Sequence, residues 1–277
     1  NDMKLELIEI KTDTIPLDGI FYEPEEKPAK GAIMICHGNT MNFYTGAPRF
    51  LPPRLCQLGF ACLSFNRRGH DIMSIRDSRK AVGAAFQTTG EGIADNEFAS
   101  KWLERKGFKN PILIGHSNGG FLAVQHAARN PHTPALILLS AHGGGKVAEK
   151  LATRTGLLGG SKTNELREQA IQMISEGKGN ELLLLPGWWY VTTANSYIDR
   201  LTTMPNTVQT APKIKCPSLF IRGDLEIPEA YPAEAFAAAS SGKCDVEIIK
   251  NCDHFYKNKE NEVTEIVSKW LVKNIIK

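Results

Sequence analysis

Pro111-Ile112-Leu113-Ile114-Gly115-His116-Ser117-Asn118-Gly119-Gly120-Phe121-Leu122-Ala123 is the stretch on which the reading of this sequence turns. The apolar run Pro111 to Ile114 fits a strand buried on both faces. The small and apolar residues from Gly119 to Ala128 fit a helix, so a strand, a tight turn and a helix follow one another. Between them stands G-x-S-x-G. In a bare glycine-bearing turn that pattern carries little weight, but here the turn holds Ser117 in a strained backbone conformation and requires small neighbours. It also presents the serine Oγ at a strand end and a helix N-terminus, where backbone N–H groups favour developing negative charge. Ser117 is therefore the candidate nucleophile.

On either side of this turn, strand-like and helix-like patterns alternate, which predicts a sheet with helices on both faces. Lys4 to Ile10 and Ile15 to Tyr22 read as early strands, and Ala32 to Cys36 and Ala61 to Phe65 as buried ones. Arg49 to Leu58 reads as a helix opened by prolines, Ile93 to Lys106 as a second helix, and Ala135 to Leu139 as a sixth strand. From about Gly143 to Lys213 no clear strand stands out. Helical segments such as Thr163 to Glu176 and Ser196 to Thr203 are broken there by glycine and proline. Alternation resumes with Ser218 to Arg222, Ala233 to Ala239 and Val246 to Lys250, and Glu262 to Ile276 closes as an amphipathic helix. The expected organisation is an α/β core of residues 1–142 and 214–277, with residues 143–213 forming a helical cap inserted after the sixth strand.

Bulk properties narrow the function classes. The chain has 277 residues, 42% of them hydrophobic and 23% charged, with a formal net charge of +3. No basic run with interleaved aromatics points to nucleic acid. The longest apolar stretch, Leu182 to Val191, is interrupted by Pro186 and Gly187, whereas a bilayer span takes about 20 continuous apolar residues. No charged leader followed by an apolar core is visible. The six cysteines are dispersed without a CxxC pair. Together these features lead us to expect a cytoplasmic protein acting on a small molecule. No HExxH, clustered His/Asp, P-loop or strand–GxGxxG–helix pattern appears, so neither a metal nor another cofactor is expected.

Four marks arrive in order along the chain: His37-Gly38 after the third strand, Arg68-Gly69-His70 after the fourth, the Ser117 turn after the fifth, and Asp253-His254 after the last. In this the sequence resembles the α/β-hydrolase superfamily over nearly its whole length. The resemblance implies a mostly parallel central sheet flanked by helices and a nucleophile–histidine–acid set. Because serine stands at the turn, it implies an esterase-like serine hydrolase rather than aspartate-based dehalogenase or epoxide-hydrolase chemistry.

Serine is a poor nucleophile until a base takes its proton. His254, 137 positions after Ser117 and just before the closing helix, lies in Asn251-Cys252-Asp253-His254-Phe255, which resembles the segment carrying the family's histidine. His142, which follows the sixth strand on the same sheet edge, is its rival. Two acids follow the seventh strand in Arg222-Gly223-Asp224-Leu225-Glu226. The family spacing selects Glu226, with Asp224 as the alternative. By resemblance, the backbone N–H groups of Asn39 and Asn118 stabilise the oxyanion. His142-Gly143-Gly144-Gly145 imitates an HGGG oxyanion motif but follows the wrong strand, and reads as a flexible entry into the cap. Trp188, Trp189, Tyr190 and His142 are substrate-binding candidates, although the aromatic trio serves equally as the cap's own core.

The resemblance leaves the reaction open between ester hydrolysis and carbon–carbon hydrolysis, lyase or acyltransferase chemistry on the same residues. A receptor that binds a ligand without turnover is the remaining alternative.

Overall fold

The strands show why the chain layers as it does. Along β3 (Ala32–Cys36), β5 (Ile112–His116), β6 (Leu136–Leu139) and the later strand Ser218–Gly223 every residue is buried. Alternate side chains enter two different apolar cores. Met34, Cys36, Leu113, Leu136, Leu138 and Phe220 join one of them, and Ile33, Ile35, Ile114, Ile137 and Ile221 join the other. Period-two alternation thus serves two faces at once, which is why these strands read as unbroken apolar runs.

The computed structural model describes residues 3–187 and 191–277. Its strands are β1 (Lys4–Ile10), β2 (Leu17–Glu23), β3, β4 (Ala61–Phe65), β5, β6, β7 (Leu182–Leu184), β8 (Val191–Thr193), β9 (Ser218–Gly223) and β10 (Cys244–Ile249). Eight of them form one sheet in the order β1-β2-β4-β3-β5-β6-β9-β10. β1 and β2 run antiparallel at one edge, and every pairing from β4 to β10 is parallel. One face is covered by α3 (Thr89–Arg105), α4 (Asn118–Arg129) and α10 (Ala233–Ala239). The other is covered by α1 (Ala47–Phe50), α2 (Pro52–Gln57) and α11 (Glu260–Asn274).

β3 pairs with β4 on one side and β5 on the other, so the direction in which the sheet grows reverses there. Loops leaving β3 and β5 diverge at such a point and open a crevice at the carboxyl ends of the strands. Ser117 follows β5 and His37-Gly38 follows β3.

Between β6 and β9 the chain forms α5 (Gly145–Lys150), α6 (Ala152–Thr155), α7 (Thr163–Ser175), the β7–β8 hairpin, α8 (Ala194–Thr202) and α9 (Thr207–Thr210). The antiparallel hairpin corrects the expectation that this segment carries no clear strand. Leu183 is buried while Leu182 and Leu184 are exposed, an alternation that a continuous leucine run conceals. The segment has its own small core, including Leu158, Leu166, Ala170, Leu183, Tyr197 and Leu201. It is tied to the loop before α3 by Thr193 N–H to the Ala85 carbonyl at 2.8 Å and Ser196 Oγ to the Gln87 carbonyl at 2.6 Å. Asp199 Oδ2 also accepts from Thr89 N–H and Oγ at 2.7 and 2.8 Å.

The run His142-Gly143-Gly144-Gly145 is a close-packed junction rather than a flexible entry. A Cβ on Gly144 would lie 2.1 Å from the Pro205 carbonyl oxygen, and one on Gly145 the same distance from that of Arg200. Glycine is needed there for backbone to approach backbone. No helix among the described residues is long and apolar enough to cross a membrane.

Candidate active site

Ser117 caps the N-terminus of α4 with φ 55° and ψ −117°, a sparsely populated conformation that costs about 1–3 kcal/mol and persists only where the surroundings over-determine it. Here the Ser117 N–H donates to the Leu139 carbonyl at 2.9 Å and the Phe121 N–H to the Ser117 carbonyl at 3.0 Å. The flanking glycines are sterically required. A Cβ on Gly115 would meet the Gly119 carbonyl at 2.2 Å, and one on Gly119 the carbonyl oxygens of Cys36 and His37 at 2.3 Å. The second contact shows that α4 is pressed against the end of β3, bringing the loop after His37 beside the serine.

His254 Nε2 lies 3.0 Å from Ser117 Oγ, and His254 Nδ1 lies 2.6 Å from Glu226 Oε1. With Nδ1–H donating to the carboxylate, the Nε2 lone pair is left to accept the serine proton. The far oxygen of Glu226, Oε2, accepts from Ser140 Oγ at 2.6 Å and from Gly223 N–H at 2.7 Å. The Tyr256 hydroxyl lies 2.5 Å from Ser140 Oγ, and 3.1 Å from the Ile221 carbonyl to which it donates. The Glu226 side chain is only 2% exposed, so this net replaces its lost hydration. Asp224, by contrast, is exposed and accepts from Cys252 N–H at 3.3 Å. Of the two candidate acids, the structure joins Glu226 to the imidazole.

The His254 ring stacks on Tyr231 at 4.6 Å and lies 5.1 Å from the His116 ring. His116 Nε2–H donates to the His254 carbonyl at 2.7 Å, anchoring the final loop to the serine turn. Burial, then the neighbouring His254, push His116 down to about 4, so it serves as a neutral donor. His142, the rival base, is engaged elsewhere. Its Nδ1 accepts from Gly144 N–H at 3.0 Å and its Nε2–H donates to Asn118 Oδ1 at 3.1 Å. Burial, with Arg200 and His254 adding to it, pushes His142 down to about 3.

Asn39 and Asn118 line one pocket with Ser117 and His142. Asn118 is the first residue of α4, so its amide has no acceptor within its own helix. Both asparagine side chains are tied back, Asn118 to His142 and Asn39 Oδ1 to Arg200 Nη2 at 3.2 Å. His37 shapes the second loop. Its Nδ1–H donates to the Gly38 carbonyl at 2.7 Å, and its Nε2 accepts from Arg67 N–H at 3.1 Å. The pocket is walled on the α5–α8 side by Ala148, Leu157, Leu158, Arg200 and Met204. Trp188, Trp189 and Tyr190 lie outside the described residues. No group of three or more His, Cys, Asp or Glu among the described residues is arranged to hold a metal ion.

Sequence reasoning did not single out Ser140, Tyr256, Tyr231 or Arg200. Each reaches the site from a distant segment, and none carries a motif. The nearest available signal was position, since Ser140 directly follows β6 and Tyr256 lies two residues after the candidate base.

The model of the α/β-hydrolase fold family matches residues 31–163. Among solved structures, the chain is similar to Est1E from Butyrivibrio proteoclasticus with bound ferulic acid, at 22% identity and a TM-score of 0.75 over 98% of this chain and 100% of that one. It is also similar to a thermostable carboxyl esterase from Bacillus coagulans in complex with glycerol, at 16% identity and a TM-score of 0.70, covering 99% and 100%. A dienelactone hydrolase from Anabaena variabilis matches at 15% identity and a TM-score of 0.63, with 99% of both chains covered. No curated protein matches the sequence. The chain has the α/β-hydrolase fold.

Proposed function

We propose that this chain is a serine hydrolase that cleaves a carboxylic ester, or a related acyl bond, of a small molecule through an acyl-enzyme on Ser117. One observation carries the reading: Ser117, His254 and Glu226 form a continuous hydrogen-bonded chain whose serine end opens into a pocket. The resemblance to structures named as esterases supports the same reaction class.

In this mechanism Ser117 Oγ attacks the substrate carbonyl as His254 Nε2 takes its proton. Glu226 holds the ring with Nδ1–H toward the carboxylate and stabilises the imidazolium. The Asn39 and Asn118 amides donate to the developing oxyanion, where losing one donor costs about 3–4 kcal/mol of transition-state stabilisation. The imidazolium then protonates the departing alcohol. Water, deprotonated by the same imidazole, cleaves the acyl-enzyme and restores Ser117. Residues 143–213 act as the cap over a core made of residues 1–142 and 214–277. Their part is to keep bulk water from the acyl-enzyme and to shape the pocket.

A panel of short- and long-chain aryl esters tests the proposal. The wild type hydrolyses at least one, and Ser117→Ala loses the activity by about 10⁴-fold or more while its circular dichroism is unchanged. Full hydrolysis by Ser117→Ala overturns the nucleophile. A folded wild type inert toward the whole panel favours the non-catalytic receptor.

A further inference from the structure

A base that takes the Ser117 proton carries a positive charge for part of the cycle, and the surroundings of the His254 ring decide what that costs. Its side chain is only 15% exposed, so water solvates an imidazolium poorly there. At one edge Glu226 Oε1 meets Nδ1 at 2.6 Å and balances the charge. The neighbouring histidines contribute no charge, because burial is the main cause that holds His116 down to about 4 and His142 to about 3. The Asp253 carboxylate accepts from the Phe255 and Lys257 amides at 3.0 and 3.1 Å. The face of the imidazole is met by Tyr231, with ring centroids 4.6 Å apart and planes inclined at 29°.

Tyr231 is placed by the same strand end that delivers Glu226. Arg222, on β9, donates from Nη1 to the Tyr231 carbonyl at 3.1 Å and forks onto Glu234 at 2.7 and 2.8 Å. Ala233 N–H donates to the Tyr231 carbonyl as well, at 2.9 Å. One residue earlier, Ala230 N–H donates to the Ile227 carbonyl and the Ala230 carbonyl accepts from Gly143 N–H, both at 3.1 Å. The turn that ends at Tyr231 is thus tied to β9 on one side and to the segment after β6 on the other. Burial, then the nearby Glu226, hold the Tyr231 hydroxyl well above its ordinary value, so the ring stays neutral. The same residue lines the pocket with Ser117.

We propose that Tyr231 is a positioning residue whose ring face supports the His254 imidazole and stabilises the imidazolium formed when Nε2 takes the Ser117 Oγ proton. An aromatic face carries negative charge density, and a cation within about 6 Å of the ring centre is attracted to it. The attraction gains its strength only as the proton moves, so it favours the transition state over the resting enzyme. The inference rests on the serine-hydrolase reading, which assigns that proton transfer.

The test replaces Tyr231 by residues that keep the shape of the ring and change its electron density. Tyr231→Phe is the reference, Tyr231→3,4,5-trifluorophenylalanine nearly removes the negative face, and Tyr231→Leu removes the ring. Hydrolysis of an aryl ester and the rate of fluorophosphonate labelling at Ser117 are read together. Relative to Tyr231→Phe, fluorination lowers kcat and the labelling rate together by on the order of three- to thirtyfold. KM stays within about twofold and the melting temperature is unchanged. Tyr231→Leu loses at least as much.

A ring that only packs serves as well when fluorinated, so equal kcat and labelling rates in the first two variants overturn the proposal. A change confined to KM overturns it too, because that assigns the ring to substrate contact. So does a loss in Tyr231→Phe as large as in Tyr231→Leu, which assigns the effect to the hydroxyl. A folded wild type that neither hydrolyses nor labels overturns the serine-hydrolase reading and this inference with it. Flat rates across the series in an active enzyme overturn this inference alone.

Discussion

Replacing Glu226 by glutamine changes one oxygen to nitrogen, and the structure dictates where that nitrogen must go. The native carboxylate accepts at both ends, from His254 Nδ1–H at 2.6 Å on Oε1, and from Ser140 Oγ and Gly223 N–H at 2.6 and 2.7 Å on Oε2. Glutamine has a single acceptor oxygen. If that oxygen faces His254, the new NH₂ points at the Gly223 amide, whose proton cannot rotate away, and a buried donor is left unsatisfied at about 1–3 kcal/mol. If the oxygen faces Gly223 and Ser140, both donors are satisfied and the NH₂ donates to His254 Nδ1. The second arrangement wins. It forces the proton onto Nε2, so the imidazole presents N–H to Ser117 and can no longer act as a base.

Holding the wrong tautomer lowers turnover by about 10⁴-fold in a Ser-His-acid site, or roughly 5 kcal/mol in activation free energy. Asp224 is exposed and accepts one 3.3 Å bond from Cys252, so Asp224→Asn should leave kcat/KM within about threefold. The assay is kcat/KM on an activated aryl ester, with both variants checked for folding by thermal melting. A Glu226→Gln enzyme within tenfold of wild type, or a larger loss in Asp224→Asn, refutes the assignment.

Ser140→Ala removes one of two donors to Glu226 Oε2 and the partner of the Tyr256 hydroxyl, so kcat/KM should fall about tenfold with a lowered melting temperature. Unchanged kinetics would mean that Gly223 alone holds the carboxylate. Acid should destabilise the fold in a specific window. His116 and His142 are depressed from 6.5 to about 4 and about 3, so the unfolded chain binds more protons below pH 6.5. Their stabilisation is complete above that value and drains away as pH falls, by on the order of 3 kcal/mol each at pH 4. Unfolding free energies from urea titrations between pH 7 and 4 should show this loss, with a shallower slope in His142→Gln, and equal slopes would refute it.

What the sequence disclosed, it disclosed through local constraint. The Ser117 turn needs Gly115 and Gly119 because two carbonyls press where a side chain would project, and that need is written within five letters. The buried parallel strands appear as apolar runs because both faces are covered. Position after a strand marked out the final loop and the pair Asp224 and Glu226, and the choice of Glu226 between them came from the resemblance to the hydrolase family.

What stayed hidden was long-range. Arg200 reaches Asn39 across 161 positions, and Ser140 reaches Tyr256 across 116. Neither pairing has a local pattern, and each depends on how the connection after β6 folds back on the sheet. The glycines after His142 resembled an oxyanion motif, yet their cause is backbone contact with Arg200 and Pro205. The β7–β8 hairpin escaped because three-residue strands are too short to display a period.

In the proposed mechanism the Ser117 hydroxyl is made reactive by His254. Mass-spectrometric localisation and timing of a fluorophosphonate adduct test it most directly. The predicted result is a single adduct on Ser117, absent from Ser117→Ala, with labelling slowed by about 10³-fold or more in folded His254→Ala. An adduct on another residue, no adduct on folded wild type, or undiminished labelling in His254→Ala would contradict it.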